Sequence, residues 1–179
     1  MKSLVVAIAL SFVASVAFAQ SPYAGMQTRS IKALSEQQIA DLKTGRGMGL
    51  ALPAELNGYP GPAHVLELSD QLGLSAEQKA RIQSLFDSMK AEAVPLGERL
   101  LEQEAALDQQ FASRSVTPQR LKAATAAIGV TQGKLQETHL KYHLQTAQIL
   151  TPDQIQRYSE LRGYGSTVPT QHQHQHNMQ

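Results

Sequence analysis

The six histidines of this chain are the residues whose type and spacing point most directly to ligand chemistry. Three of them alternate with glutamine in His172-Gln173-His174-Gln175-His176. Neutral imidazole binds zinc, copper and nickel well, and a flexible tract can bring several rings to one ion. Met178 adds a thioether that suits Cu(I). The competing reading is a polar, solubilising tail, because ordering a loose tract around an ion costs chain entropy. His139 and His143 lie four residues apart, so on a helix they share a face and can chelate one ion. Glu137 points elsewhere and does not complete that pair. The plainer expectation is that His143 is solvated, that His139 edges a helix seam and that the isolated His64 is structural. No cofactor is required; zinc or copper held weakly is the metal expectation.

Catalytic chemistry finds no support, and the chain reads as a non-enzyme. There is no cysteine, which excludes thiol nucleophiles and thiolate metal sites. Gly45-Arg46-Gly47-Met48-Gly49 lacks the Lys-Ser/Thr of a phosphate loop and any strand before it, so a flexible hinge or contact arm is expected there. Nothing resembles a nucleophile elbow, and the carboxylates fall at exposed helix positions where solvated charge explains them.

The elements that would position these groups are helices. The pattern Leu-Ser/Thr-x-x-Gln occurs at Leu34-Ser35-Glu36-Gln37-Gln38, Leu74-Ser75-Ala76-Glu77-Gln78 and Leu150-Thr151-Pro152-Asp153-Gln154. Ser or Thr at an N-cap accepts from an orphan backbone N–H, and Gln at N3 reaches back to the N-cap amide. Leucine at N′ can staple onto N4, which is Ile39 in the first copy and Ile155 in the third, but Lys79 in the second. Pro152 at N1 and Asp153 near the positive helix end strengthen the third start. Leu74, Ser75, Gln78, Leu150, Thr151 and Gln154 are thus read as helix caps and not as binding groups.

After Ser75, the positions Ile82, Phe86, Met89, Ala93, Leu96, Leu100, Leu107 and Phe111 are spaced by three, four or their sum, as on one buried helical stripe. Pro95 interrupts it and predicts a kink or break near Glu92 to Val94. Thr117-Pro118 opens the next helix. Along it Leu121, Ile128, Leu135, Tyr142 and Ile149 recur every seven residues, while the companion positions Ala124, Thr131, Thr138 and Gln145 are weak. A narrow antiparallel contact fits. A second stripe runs through Ala123, Ala127, Val130, Leu140, Leu144 and Ala147. A helix apolar on two faces buries both or presents one to a partner. A last helix is expected from Pro152 to about Arg162, with Ile155, Tyr158 and Leu161 inward. His64 to Leu72 forms a short helix stopped by Gly73, and a brief helical turn falls within 50–56. The Gly and Pro residues between 44 and 63 forbid anything longer.

Residues 1–19 read as a signal peptide: Lys2, an apolar run from Leu4 to Val16, and the small-x-small Ala17-Phe18-Ala19 cleavage form. Export with cleavage after Ala19 is expected; an uncleaved N-terminal anchor is the alternative. No other stretch is apolar and long enough to cross a bilayer, so no membrane span is expected after cleavage. Without Lys2 the 16 basic residues become 15, equal to the 15 acidic ones, which argues against nucleic acid as a partner. An exported chain without disulfides is held by packing alone. Four zones follow: the signal over 1–19, a Gly/Pro-rich leader over 20–63, a helical domain over 64–165 and a polar, disordered His/Gln-rich tail over 166–179. The fold class is all-α, an elongated hairpin of long antiparallel helices.

The capped pentapeptides at 74–78 and 150–154, the long helices between them and the signal peptide resemble the Spy/CpxP/ZraP group of periplasmic LTxxQ-motif proteins, over roughly His64 to Arg162. The resemblance implies a four-helix protomer that pairs into a cradle-shaped homodimer. It also implies ATP-independent holding of unfolded or stress-damaged envelope proteins in the periplasm. Phe86, Met89, Val130, Leu140 and Leu144 are the residues expected to touch such clients. A zinc- or copper-binding sensor or resistance protein of ZraP type, acting through His172, His174 and His176, with His139 and His143 as a second pair, is the alternative. Damping of a sensor-kinase periplasmic domain is a third.

Overall fold

The computed structural model describes residues 22–164, and among them every regular element is helical. A 3-10 turn at Met26–Thr28 precedes α1 (Glu36–Thr44), α2 (Leu52–Glu55), α3 (Pro62–Glu67), α4 (Ala76–Ala112), α5 (Pro118–Ala147) and α6 (Pro152–Leu161). The expected all-α hairpin is present, and α3 to α6 form the four-helix set. None of these helices is long and apolar enough to cross a membrane. The expected signal peptide and the histidines at 172, 174 and 176 lie outside the described residues.

All three pentapeptides form complete capping boxes. Ser35, Ser75 and Thr151 each accept from the N3 backbone, and Gln38, Gln78 and Gln154 each accept from the N-cap N–H. Gln78 and Gln154 go further. Their amides face each other, with Gln78 Nε2 donating to Gln154 Oε1 at 2.9 Å and Gln154 Nε2 returning to Gln78 Oε1 at 3.2 Å. The remaining N–H groups donate to the carbonyls of Ile149 and Leu72. A flip of either amide would set N–H against N–H and oxygen against oxygen, so the network fixes both orientations. The two motif copies therefore tie the starts of α4 and α6 together. Around them Val65, Leu72, Ile82, Leu150 and Tyr158 form a buried core.

Helices α4 and α5 run antiparallel across a short turn, about 55 Å and 45 Å long at 1.5 Å per residue. Pro95 does not break α4, contrary to expectation. Its ring sits on the exposed face, as does Ala91, whose carbonyl loses its partner, so water can satisfy that group. Inward neighbours Ala93 and Leu100 hold both sides of the proline in the core with Leu42, Ile128 and Leu135. Two of the polar companion positions of α5 are buried too, Thr131 at 3 % and Thr138 at 6 % exposed, while Gln145 is half-buried. Thr131 Oγ1 bonds its own helix at the Ala127 carbonyl, as does Thr146 at Tyr142, which removes the cost of burying them.

The leader packs onto the hairpin. Leu42 of α1 is 2 % exposed, and its carbonyl lies directly on Gly97 of α4. A Cβ at Gly97 would stand 2.9 Å from the Leu42 carbonyl carbon and nearer still to its oxygen, so only glycine permits this crossing. In the Gly45–Gly49 loop, Gly45 is buried, ends α1 at φ +69° and faces Val94 and Ala93, while Arg46, Met48 and Gly49 are exposed. The expected helix over 64–72 is shorter, starting at Pro62 and ending at Glu67.

Candidate functional site

Helix α5 carries its two apolar stripes on opposite terms. Ile128, Leu135 and Tyr142 are buried in the hairpin. The second stripe faces outward: Val130 is 60 % and Leu144 51 % exposed, Ala123 and Ala127 are exposed, and Leu140 is half-buried. Of the other residues expected to touch a client, Phe86 is half-buried, with the Lys90 ammonium 5.7 Å above its ring. Met89 is buried at 6 % exposure, so it presents little surface.

Beside Val130 the two long helices frame a shallow groove of about 330 Å³. Ala126, Ala127 and Val130 make its floor, and Arg99 and Lys134 its cationic rim, with Gln103 and Thr131 alongside. Neither cation has an ion-pair partner among the described residues. The charge around it is sorted by helix. Over 118–136, α5 carries Arg120, Lys122 and Lys134 and no acid. Helix α4 sets Glu77, Asp87, Glu92, Glu98, Glu102, Glu104 and Asp108 against Lys79, Arg81, Lys90 and Arg99. The α5 side of the apolar stripe is thus locally basic over 118–136, while the α4 side is acidic on balance.

A second, larger cavity of about 1080 Å³ lies between the leader and the hairpin, lined by Met48, Phe86, Met89, His139, His143 and Arg162 among others. Its polar wall centres on Glu55, a carboxylate only 6 % exposed. Tyr158 OH donates to Glu55 Oε1, Tyr164 OH does so at 3.2 Å, and Gly61 N–H donates to Oε2 at 3.3 Å. His64 Nδ1, Arg162 Nε and His143 Nδ1 stand at 3.5, 3.6 and 3.7 Å. Burial alone would raise this carboxyl, but the donors His64 and Tyr158 and the positive potential of the two imidazoles hold it at about 2. The same contact, with burial first, pushes the Tyr158 phenol far above its ordinary range. Glu55 thereby fastens the leader to α3, α5 and α6.

His143 is buried and not solvated, correcting the expectation: its Nδ1–H donates to the Tyr59 carbonyl at 2.7 Å, and the Gly61 backbone lies against the ring. His139 is 3 % exposed, and its Nε2 is buried without a partner among the described residues. Burial keeps both rings below the usual imidazole range, reinforced at His139 by its neighbour. Among the described residues, no group of three or more His, Asp or Glu is placed to hold a metal ion.

A capped pair of pentapeptides whose glutamines join the starts of two helices at the base of a long hairpin is the decisive arrangement. The model of the LTXXQ motif family matches residues 63–162. The chain belongs to the LTXXQ motif family. This family includes the Spy/CpxP-like proteins, which are typically periplasmic. No curated protein and no solved structure matches the chain. The leader of this LTXXQ protein lies outside the matched segment, and its Glu55 and Leu42 escape sequence reasoning because their partners are remote in the chain. Arg99 and Lys134 escape it too, although the absence of acids over 118–136 is visible in the sequence.

Proposed function

We propose that this LTXXQ protein is an ATP-independent periplasmic holdase or envelope-stress accessory protein of Spy/CpxP type. It is exported by residues 1–19, acts without catalysis, and holds non-native envelope proteins as a homodimer. The observation that supports this reading is the second apolar stripe of α5, uncovered at Val130 and Leu144 beside an unpaired basic rim. Fully burying one such side chain yields about 1.5–3 kcal/mol, so each contact is weak and reversible. A holdase needs that: clients gripped through several weak contacts are shielded yet can leave. Purified protein is expected to suppress aggregation of a denatured exported client at equimolar ratio, measured by light scattering. Unchanged aggregation would sink the proposal.

The alternating His172, His174 and His176 favour a second reading, a zinc- or copper-binding sensor or resistance protein. Calorimetric titration with Zn²⁺ and Cu²⁺, on the full chain and on a truncation after Ser166, tests it. Affinity no tighter than about 100 μM, or roughly −5.5 kcal/mol, would remove it as a physiological role.

A further inference from the structure

We propose that the groove between α4 and α5 captures the C-terminal residue of a polypeptide when that residue is apolar. The idea deepens the holdase reading, and rests on it only in taking this face as the one that meets clients. Three complements surround the groove. Arg99 and Lys134 are exposed cations at its rim with no acidic partner among the described residues. Ala126, Ala127 and Val130 give an apolar floor with room above it. Gln103 contributes an amide oxygen that is buried and has no donor among the described residues. The terminal torsion of a glutamine is soft, so that oxygen can turn to meet an incoming N–H.

A C-terminal residue supplies the three counterparts in one unit: a carboxylate, a side chain and an N–H, all attached to one Cα. Carboxylate held by guanidinium and ammonium makes charge-assisted hydrogen bonds, about twice as strong as neutral ones. The volume of about 330 Å³ is at the small end for ligand sites and suits one residue better than a long segment. An internal Asp or Glu fits less well. It carries its charge on one side chain and needs a neighbour for the apolar contact, and neighbours in an extended chain point to opposite faces.

Fluorescence anisotropy with the full protein and short dye-labelled peptides tests this. One peptide ends in Ala-Leu with a free carboxylate, the second is its C-terminal amide, and the third is an amide with Asp two residues before the end. The free acid is expected to bind at least about tenfold tighter than either amide. Arg99→Gln and Lys134→Gln should each weaken it while leaving the amide unchanged, and melting should not move because both side chains are exposed. Equal binding of acid and plain amide overturns the proposal, as does Asp-amide binding equal to the free acid or a double variant that binds like the parent. Aggregation suppression is read separately. Lost peptide discrimination with intact suppression removes this site alone, and the reverse removes the holdase reading alone.

Discussion

Gln154→Ala separates a helix cap from a tertiary clasp. The Gln154 amide accepts from Thr151 N–H and from Gln78 Nε2, both at 2.9 Å. It donates to Gln78 Oε1 at 3.2 Å and to the Leu72 carbonyl at 3.3 Å. A net protein hydrogen bond is worth about 0.5–1.5 kcal/mol; the four bonds share atoms, so their loss should cost about 2–3 kcal/mol and not their sum. Gln78→Ala should cost a similar amount. Gln38→Ala loses only the exposed bond from Ser35 N–H, worth about 0.5 kcal/mol. Because either single change already destroys the reciprocal pair, the double variant should fall short of additivity by about 1 kcal/mol. Urea unfolding followed by helical circular dichroism, with unchanged slopes, gives these differences. Equal costs for Gln38→Ala and Gln154→Ala, or strict additivity of the double variant, would refute the clasp.

Gly97→Ala, a change that gains up to about 1 kcal/mol in an ordinary exposed helix, should instead lose about 1–3 kcal/mol here because the new Cβ meets the Leu42 carbonyl. Differential calorimetry reads the sign. Glu55 has its folded pKa depressed to about 2 from the ordinary 4.5, so its contribution is full above 4.5 and fades as pH falls toward 2. Glu55→Gln should cost about 3 kcal/mol near neutrality, and its deficit should shrink across that window in pH-dependent urea titrations. Buried His139 has a depressed pKa as well, so protonation opposes folding and stability should fall as pH drops below about 6.5, less steeply in His139→Gln. Pro95→Ala restores a backbone donor on the exposed face of an unbroken helix and should raise stability by about 1–3 kcal/mol.

Local physics was the legible part. Ser35, Ser75 and Thr151 announce helix starts because a cap involves residues three apart, and all three boxes form. Seven-residue spacing placed Ile128, Leu135 and Tyr142 inward, whereas Leu121 of the same series, near the start of α5, is 38 % exposed. What depends on distant partners was not legible. The meeting of Gln78 with Gln154 spans 76 residues, and Glu55 reaches Tyr158 across 103. His143 is polar by type, yet the Tyr59 carbonyl makes its burial tolerable. Thr131 is a weak seam position by type, but its hydroxyl returns to its own helix at the Ala127 carbonyl. Pro95 misled because its cost falls on a carbonyl at the wet face. In the candidate site, Val130 and Leu144 stood out as a second stripe, but its exposure is a property of the assembled hairpin.

The most direct measurement compares wild-type protein, Val130→Asp and Val130→Leu in equimolar aggregation suppression of a denatured exported client, with melting temperatures recorded alongside. Val130 is 60 % exposed, so neither substitution should shift melting appreciably. The expected result is suppression by wild type and Val130→Leu and marked loss in Val130→Asp, which sets a charge on the apolar floor. Equal suppression by Val130→Asp, or none by wild type, would contradict the assignment of this face as the one that holds clients.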